Sequence, residues 1–254
     1  MKTIFPLLIT LLLAPLNIIQ AAEAQQAAKS TEAATGKKDA FFTPEKDKAG
    51  LKNAGPIDPA LPNVLILGDS ISIGYTNQVR DRLKLKANVV RPSANCGDTP
   101  MGLAGIDAWL GDTHWRVIHF NWGLWDLCYR NPESKTQGHR DKVNGKLSVS
   151  LADYEKNLDL LVERLKRTGA TLIWASTTTV PQDEAGRIAG DEIKYNAAAE
   201  RVMKKYGVAI DDLHAVTEIF APEMFAGKGD VHYQAEGYEK LADQVAQQIE
   251  SALP

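Results

Sequence analysis

A serine, an aspartate and a histidine in this chain have the side-chain types that nucleophilic catalysis needs, in the chain order Ser, Asp, His. Ser70 ends a Gly-Asp-Ser sequence that follows the aliphatic run 64–67, and Asp230 precedes His232 by two residues. A serine hydroxyl is a weak nucleophile at its own pKa and needs a neighbouring base. The imidazole of His232 can act as that base, and Asp230 can orient its ring. The alternatives are an ordinary turn at Ser70 and a surface histidine in a loop.

Acyl transfer also needs hydrogen-bond donors for the negative charge that develops on the substrate oxygen. The backbone N–H of Ser70 can serve, and so can that of Gly97, in the loop that follows the second predicted strand. A side-chain amide would be a third donor, and Asn121 ends the third predicted strand. These residues together predict a site for acyl transfer.

The hydrophobic pattern from residue 64 onward predicts the scaffold that would position these residues. Short apolar runs predict strands at 64–67, 88–90, 117–120, 171–175 and 208–210. Apolar residues at helical spacing predict helices at 73–85, 101–110, 151–167, 191–206 and 238–253. Strands that alternate with helices indicate an α/β fold, in which a parallel sheet of about five strands has helices on both faces. Ligands bind beyond the carboxyl ends of such strands, which is where Ser70, Gly97 and Asn121 lie.

The composition is that of a soluble globular protein. The chain has 254 residues, of which 44% are hydrophobic, and a formal net charge of -3. Nothing in this charge balance points to a nucleic acid or a membrane surface as a partner. A length in this range suits one α/β domain with a short appendage.

The N-terminal segment predicts export. Residues 4–19 are apolar, and Ala22 and Ala24 fit the small-x-small rule for signal-peptide cleavage. The apolar run is shorter than the ~20 residues that a membrane span needs. We therefore expect residues 1–24 to be a cleaved signal peptide and the protein to be periplasmic or secreted, without stable membrane insertion after cleavage. The alternative is a membrane anchor.

Residues 25–60 are predicted to form a flexible linker. The stretch 25–38 consists of Ala, Gln, Ser, Thr, Glu, Gly and Lys without an apolar period, so it cannot bury a core. Prolines at positions 44, 56, 59 and 62 mark the approach to the folded part. The predicted catalytic domain then occupies residues 61–254.

The chain contains only two cysteines, Cys96 and Cys128. In an oxidising compartment they could form a disulfide. The alternative is that both are buried thiols that behave as small apolar residues. The sequence alone leaves the two open.

Four sequence blocks resemble those of the GDSL, or SGNH, hydrolase family. Residues 68–72 resemble the first block, 96–99 the second and 230–232 the last, while 123–126 lie where the third belongs. The resemblance covers roughly residues 62–252. It implies a flavodoxin-like three-layer sandwich that hydrolyses esters, most often small acyl esters or O-acetyl groups on carbohydrate, without a metal or cofactor. It also implies that Ser70 is the nucleophile and that the Gly97 N–H contacts the oxyanion.

Two positions depart from the family pattern. The third block lacks its asparagine and has Trp125 instead, so either its indole N–H or the amide of Asn121 would complete the oxyanion hole. We expect Asn121 to do so. The family acid usually lies three residues before the histidine, where this chain has Gly229. Asp230 would have to act from one residue closer, or His232 would work as a dyad with Ser70.

The segment 124–146 is the most individual part of the chain, because it is basic and should overhang the site. It includes Arg130 and Arg140, and Trp122 and Trp125 stand next to it or within it. One interpretation is a solvated surface loop. The other is a lid that favours an anionic glycan, with the arginines binding acidic groups and the tryptophans stacking on sugar rings.

The sequence therefore predicts an exported serine esterase that acts on a small-molecule or glycan ester. A lipase or lysophospholipase on the same scaffold is one alternative, although the segment 124–146 has no long apolar run to line an acyl-chain groove. A glycan-binding protein without activity is the other, because two of the four blocks are altered. The natural ester and the oligomeric state do not follow from the sequence.

Overall fold

The computed structural model describes residues 51–52 and 57–254. The predicted signal peptide, 1–24, and most of the predicted linker, 25–60, lie outside these residues. Within the described part, no helix is long and apolar enough to cross a membrane.

Strands and helices alternate along the described chain, as the hydrophobic pattern predicts. The strands are β1 (Leu51–Lys52), β2 (Asn63–Leu67), β3 (Asn88–Pro92), β4 (Trp115–Phe120), β5 (Tyr129–Arg130), β6 (Lys146–Leu147), β7 (Thr171–Ala175) and β8 (Ala209–Asp211). The α-helices are α1 (Ser70–Arg82), α2 (Thr99–Leu110), α3 (Leu151–Lys166), α4 (Asp191–Tyr206), α5 (Leu213–Glu218) and α6 (Ala235–Ser251). Two short 3₁₀ helices lie at Gln137–His139 and Pro222–Met224.

Five of the strands form a parallel sheet. Its strand order is β3-β2-β4-β7-β8, and every neighbouring pair is parallel. Helices follow these strands, which gives the three-layer α/β fold, and the predicted fold class is confirmed. Since all five strands run the same way, the segments that follow them gather at one edge of the sheet.

The edge of this sheet carries an additional strand. β1 pairs antiparallel with β3, with Leu51 opposite Pro92 and Lys52 opposite Arg91. β1 falls within the predicted linker, 25–60, so that segment includes a piece of regular structure. The two residues of β1 are too few to produce a strand pattern in the sequence, and only their pairing with β3 reveals them.

β2, the strand that leads to Ser70, lies within the core. Residues 64–67 of β2 have no exposed side-chain area. A continuous buried run is expected where both faces of a parallel sheet are covered. Burying an aliphatic side chain of this size contributes about 1.5–3 kcal/mol, so the end of β2 is rigidly placed.

Helix α1 begins earlier than the sequence predicts, at Ser70 instead of residue 73. Asp69 is the reason, because its side chain caps the helix by accepting a hydrogen bond from the backbone N–H of Ile71 at 2.9 Å. A capping aspartate satisfies one of the N–H groups that a helix start leaves unpaired. Ser70 therefore occupies the first helical position.

The segment 124–146 folds back on itself beside the main sheet. β5 and β6 pair antiparallel, with Tyr129 opposite Leu147 and Arg130 opposite Lys146. Arg130 also forms an isolated bridge with Arg140. The segment is therefore an ordered hairpin, although the sequence contains no alternating pattern that predicts one.

Candidate active site

Ser70, His232 and Asp230 form a continuous hydrogen-bonded chain. The Oγ of Ser70 lies 2.8 Å from Nε2 of His232, and Nδ1 of His232 lies 2.6 Å from Oδ1 of Asp230. Ser70 and His232 are 162 residues apart in sequence, and the sheet brings them together. This is the arrangement of nucleophile, base and orienting acid that acyl transfer requires.

The local backbone explains how Asp230 reaches the ring from only two residues away. Gly229 has a φ of 70°, which glycine adopts without steric cost. The N–H of Asp230 then bonds the carbonyl of Gly227 at 3.1 Å and closes a turn. Oδ1 of Asp230 accepts the backbone N–H of His232 at 3.0 Å as well as its ring nitrogen. The geometry is therefore that of a triad and not of a dyad.

The environment of Asp230 favours its ionised form. Partial burial acts to raise its pKa, but hydrogen bonds from the N–H and the ring of His232 and the charges of His232 and Arg140 outweigh this, so the pKa is lowered. An ionised carboxylate can accept the Nδ1 proton and hold the imidazole in the tautomer that leaves Nε2 free to accept a proton. Asp230 is thus suited to orient the base.

Ser70 is presented at the start of a helix with its N–H available. In the described residues, the N–H of Ser70 has no acceptor, and helix starts attract negative charge. The preceding Asp69 is buried. Burial raises the pKa of Asp69, whereas the hydrogen bond from Ile71 and the charges of Arg187 and other cations oppose the rise.

The predicted oxyanion donor Gly97 already has a partner. Its N–H donates to Oδ1 of Asn95 at 2.9 Å, and Gly97 has a φ of 60°. The loop is held next to the nucleophile turn because the N–H of Cys96 donates to the carbonyl of Gly68 at 3.1 Å. Gly97 therefore lies beside the site, but its N–H can bind a substrate oxygen only when the Asn95 side chain moves.

The amide of Asn121 does not face a substrate either. Its Nδ2 donates to the carbonyl of Ala175 at 2.8 Å and to Oγ1 of Thr177 at 3.4 Å. Both amide protons are thereby used in bonding Asn121, the residue after β4, to the end of β7 and the segment that follows it. The geometry speaks against the predicted role of Asn121 as an oxyanion donor, which the sequence could suggest only from its place at the strand end.

The two tryptophans near the site differ in exposure. Trp122 is fully buried, and its indole N–H donates to the carbonyl of Cys96 at 3.2 Å. It therefore cannot stack on a sugar ring, contrary to the prediction. Trp125 is partly exposed, and the guanidinium of Arg130 lies 4.6 Å from its ring centroid. Such a cation–π contact covers one face of the indole and orders the rim of the site.

The two arginines predicted to bind anionic substrates have partners within the protein. Nη1 of Arg130 donates to the carbonyl of Gly138 at 2.5 Å. Nη1 of Arg140 bonds Oε1 of Glu184 at 2.7 Å, and Glu184 is fully buried. The charge of Arg140 is therefore balanced inside the fold, which speaks against the predicted role of this side chain as a free cation for a glycan.

Cys96 and Cys128 are both buried and free, so they do not form the disulfide that the sequence left open. Burial raises the pKa of the Cys96 thiol to about 12. The Sγ of Cys128 lies 3.6 Å from the carbonyl of Tyr129. Both cysteines behave as small apolar residues in this structure.

No group of three or more His, Cys, Asp or Glu side chains in the described residues is placed to hold a metal ion. Sequence reasoning assigned no role to three residues near the site: Asp69, which caps α1, Asn95, which bonds Gly97, and Glu184, which pairs with Arg140. A Ser/Asp-type cap before a helix is a signal that could have identified Asp69. Asn95 and Glu184 carry no such signal, because their partners are known only from the fold.

Comparisons with known proteins bear on the family and the fold. The profile of the GDSL-like lipase/acylhydrolase family matches residues 66–240. A search of curated proteins finds no match. The fold is similar to that of a lipase/acylhydrolase from Enterococcus faecalis, with a TM-score of 0.62, 14% identity and coverage of 76% of this chain and 98% of the other.

Two further structures show the same likeness. An acetylxylan esterase from Geobacillus stearothermophilus has a TM-score of 0.59 and 16% identity, with 74% of this chain and 94% of the other covered. A GDSL-like lipase from Bacteroides thetaiotaomicron has a TM-score of 0.57 and 16% identity, with 91% of this chain and 99% of the other covered. At these identities the likeness establishes the fold.

Proposed function

The chain belongs to the GDSL-like lipase/acylhydrolase family, and from this premise we propose that it is an exported serine esterase that removes small acyl groups, chiefly O-acetyl groups, from carbohydrate. The observation that carries the proposal is the hydrogen-bonded chain from Ser70 through His232 to Asp230. A binding protein without activity would have no need for a nucleophile, a base and an acid at these distances.

In the first half of the reaction, Oγ of Ser70 attacks the ester carbonyl while Nε2 of His232 takes its proton. The imidazolium that forms is stabilised by Asp230. The C–O bond to the alcohol then breaks, and His232 returns the proton to the leaving oxygen. The products of this half are the free alcohol and an acyl group on Ser70.

In the second half, water attacks the acyl group on Ser70. His232 removes a proton from that water and then protonates Oγ of Ser70 as the acyl–oxygen bond breaks. One ester and one water molecule are thereby converted to one acid and one alcohol. The enzyme returns to its starting state.

The oxyanion of each tetrahedral intermediate is proposed to bind the N–H of Ser70, which is free of acceptors in the part of the chain that the structure describes. Gly97 would supply a second N–H when the oxyanion displaces the carboxamide of Asn95, which now accepts from it. Removing one such donor from an acyl-transfer enzyme typically lowers kcat about 10²–10³-fold. Trp125 has an indole N–H that could serve as a third donor.

The exposure of the site supports a bulky alcohol. The side chains of His232 and Asp230 are 40% and 38% exposed, so a chain of sugar rings could approach the triad from solvent. Two of the similar folds are acetylxylan esterases, which act on such a substrate. A lipase would instead need apolar surface for a long acyl chain.

The proposed chemistry is tested by replacing Ser70 with alanine and measuring hydrolysis of p-nitrophenyl acetate. We expect Ser70→Ala to abolish turnover and also labelling by a fluorophosphonate probe. Ser251→Ala, at the end of α6, is the matched control and should retain both. Undiminished turnover in Ser70→Ala would contradict the assignment.

The acyl preference is tested separately with p-nitrophenyl esters of increasing chain length and with acetylated xylan. We expect kcat/KM to be highest for acetate and to fall steadily with length, and acetate to be released from the polysaccharide. A maximum at a long acyl chain would favour the lipase alternative.

Export is tested by expressing the full chain in a bacterium and fractionating the cells. The protein is expected outside the cytoplasm, and mass spectrometry of its N-terminus should show cleavage after Ala24. An uncleaved chain in the membrane fraction would favour the alternative of an N-terminal anchor.

A further inference from the structure

One buried carboxylate beside the site joins two arginines. Glu184 has no exposed side-chain area, and its Oε1 accepts Nη1 of Arg140 at 2.7 Å and Nη1 of Arg187 at 3.0 Å. Its Oε2 accepts the N–H of Gly186 at 2.6 Å. A buried carboxylate needs such partners, and both oxygens of Glu184 are paired.

This cluster connects two separate parts of the chain. Arg140 belongs to the segment 124–146, and Glu184 belongs to the loop 181–187. Nε of Arg187, in the same loop, donates to the carbonyl of Leu124, the first residue of that segment, at 2.6 Å. Backbone hydrogen bonds reinforce the connection between the segment and the loop: Tyr129 N–H to Gly186 at 2.6 Å and Lys142 N–H to Ala185 at 2.8 Å.

The loop 181–187 also packs against the turn that carries the acid and the base. A Cβ added at Gly229 would overlap the backbone carbonyl of Asp183, so the two backbones are in close contact. Nζ of Lys228 lies 3.3 Å from Oδ2 of Asp183. On its other side, the loop touches Arg140, since a Cβ added at Gly186 would lie 2.6 Å from the Cβ of Arg140.

The two arginines of the cluster act on different carboxyl groups, Asp230 within the triad and Asp69 next to it. The charge of Arg140 is close enough to Asp230 to help lower the pKa of that carboxyl. The charge of Arg187 acts in the same direction on Asp69, the residue before the nucleophile. Two guanidinium groups and one carboxylate leave the cluster with one net positive charge.

We propose that Arg140, held in place by buried Glu184, is a positioning residue for Asp230 and His232. It supports the loop against which their turn is packed, and it places a positive charge beside Asp230. This role rests on the proposed esterase function, and it replaces the role of substrate cation that the sequence suggested for Arg140.

Other charged groups face the same pair and must stay unchanged in a test. Asp230 faces the ring of His232 and the guanidinium of Arg140, and its charge also acts on Tyr238 of α6. His232 faces Oγ of Ser70 and the carboxylates of Asp230 and Asp69. Among these groups, Arg140 can be altered without touching the triad or the nucleophile turn.

The test compares Arg140→Gln and Arg140→Lys with Arg201→Gln. Arg201 is a matched control, because it also pairs with a glutamate, Glu155 at 2.6 Å, but on the surface between α3 and α4. We expect Arg140→Gln to lower kcat for p-nitrophenyl acetate about three- to tenfold, which corresponds to about 0.7–1.4 kcal/mol of transition-state stabilisation, with KM within about twofold of the parent.

The pH profile separates a charge effect from a merely structural one. Without the charge of Arg140, the carboxylate of Asp230 takes up a proton more easily. The acid limb of kcat/KM is therefore expected to move to higher pH in Arg140→Gln. Arg140→Lys keeps the charge and should restore the limb. A profile of Arg140→Gln that coincides with that of Arg201→Gln would overturn the proposal.

A second measurement does not depend on activity. In a ¹³C NMR titration of the folded protein, the Asp230 carboxyl is expected to titrate at higher pH in Arg140→Gln than in the parent and in Arg140→Lys. An unchanged titration would overturn the electrostatic role. If the parent protein had no esterase activity, the proposed function would fail, whereas this titration would still decide the relationship between Arg140 and Asp230.

Discussion

Oδ1 of Asp230 accepts two hydrogen bonds from His232, one from the backbone N–H at 3.0 Å and one from Nδ1 at 2.6 Å. The carboxylate therefore fixes both the turn that carries the histidine and the orientation of its ring. Both bonds form although the acid lies one residue closer to the histidine than in the usual family pattern.

The first prediction concerns this double contact. In Asp230→Asn the side chain keeps its shape, but the amide no longer stabilises the imidazolium, so kcat is expected to fall about 10²–10⁴-fold. Hydrolysis of p-nitrophenyl acetate measures the loss. Asp243→Asn, which removes an exposed partner of Arg82, is the control and should retain activity. A kcat for Asp230→Asn within twofold of the parent would favour a dyad.

The second prediction concerns the turn before the triad acid. Gly229→Ala places a Cβ at a φ of 70° and against the carbonyl of Asp183. Gly169→Ala is a matched control, because its φ is 75° and no atom lies within 4 Å of the added Cβ. The left-handed conformation alone costs about 1–2 kcal/mol, so both variants should lose stability in thermal unfolding.

Only Gly229→Ala is expected to lose activity as well, because its Cβ would push the acid–base turn away from the loop 181–187. The comparison of kcat at a temperature where both variants are folded decides this. Equal activity in the two variants would mean that the contact with Asp183 does not position the triad.

The third prediction concerns Asn95. In Asn95→Asp an ionised carboxylate would accept the N–H of Gly97 and repel the developing oxyanion. We expect kcat/KM to fall by about ten- to hundredfold at neutral pH, as for two like charges near the protein surface. The loss should shrink as the pH is lowered and the new carboxyl becomes neutral. Asn77→Asp, exposed on α1, should show neither effect.

The fourth prediction concerns stability. Asp126 is buried, its Oδ1 accepts the N–H and the Oγ1–H of Thr99 at 2.9 and 2.6 Å, and its Oδ2 has no described partner. Burial raises the pKa of Asp126 from 3.8 to about 8. In the unfolded chain the carboxyl ionises near 3.8, so its contribution to stability is complete below that pH and is lost as the pH rises towards about 8.

Asp126→Asn cannot ionise and should escape this loss. The melting temperature of Asp126→Asn relative to the parent is therefore expected to rise between pH 4 and pH 8, as measured by calorimetry. The exposed substitution Asp112→Asn should show a constant difference over the same range. A constant difference for Asp126→Asn would mean that the buried carboxyl does not titrate in this range.

The sequence predicts the parts of the fold that have long apolar patterns. The bounds of β7 and α4 are as predicted, because a buried run and a helical period each extend over several residues. The two-residue strands β5 and β6 and the six-residue helix α5 were not predicted, because so few residues contain no period. Their structure depends on contacts with distant parts of the chain.

The candidate site, like the fold, could be predicted from the sequence only in part. The types and order of Ser70, Asp230 and His232 can be read from the sequence, because the chemistry restricts which residues can serve. Whether a polar side chain faces the substrate cannot be read in this way. Asn121 turns to the neighbouring strand, and Glu184, which looks like a solvated loop residue, is fully buried.

The pairing of β1 with β3 has a consequence for handling the protein. An unpaired edge strand offers a row of free N–H and C=O groups on which strands of other molecules can assemble, and Leu51–Lys52 occupies part of that row on β3. A recombinant protein that begins at residue 61, where the sequence alone places the domain boundary, would leave this edge bare and is expected to aggregate more readily than one that begins before residue 51.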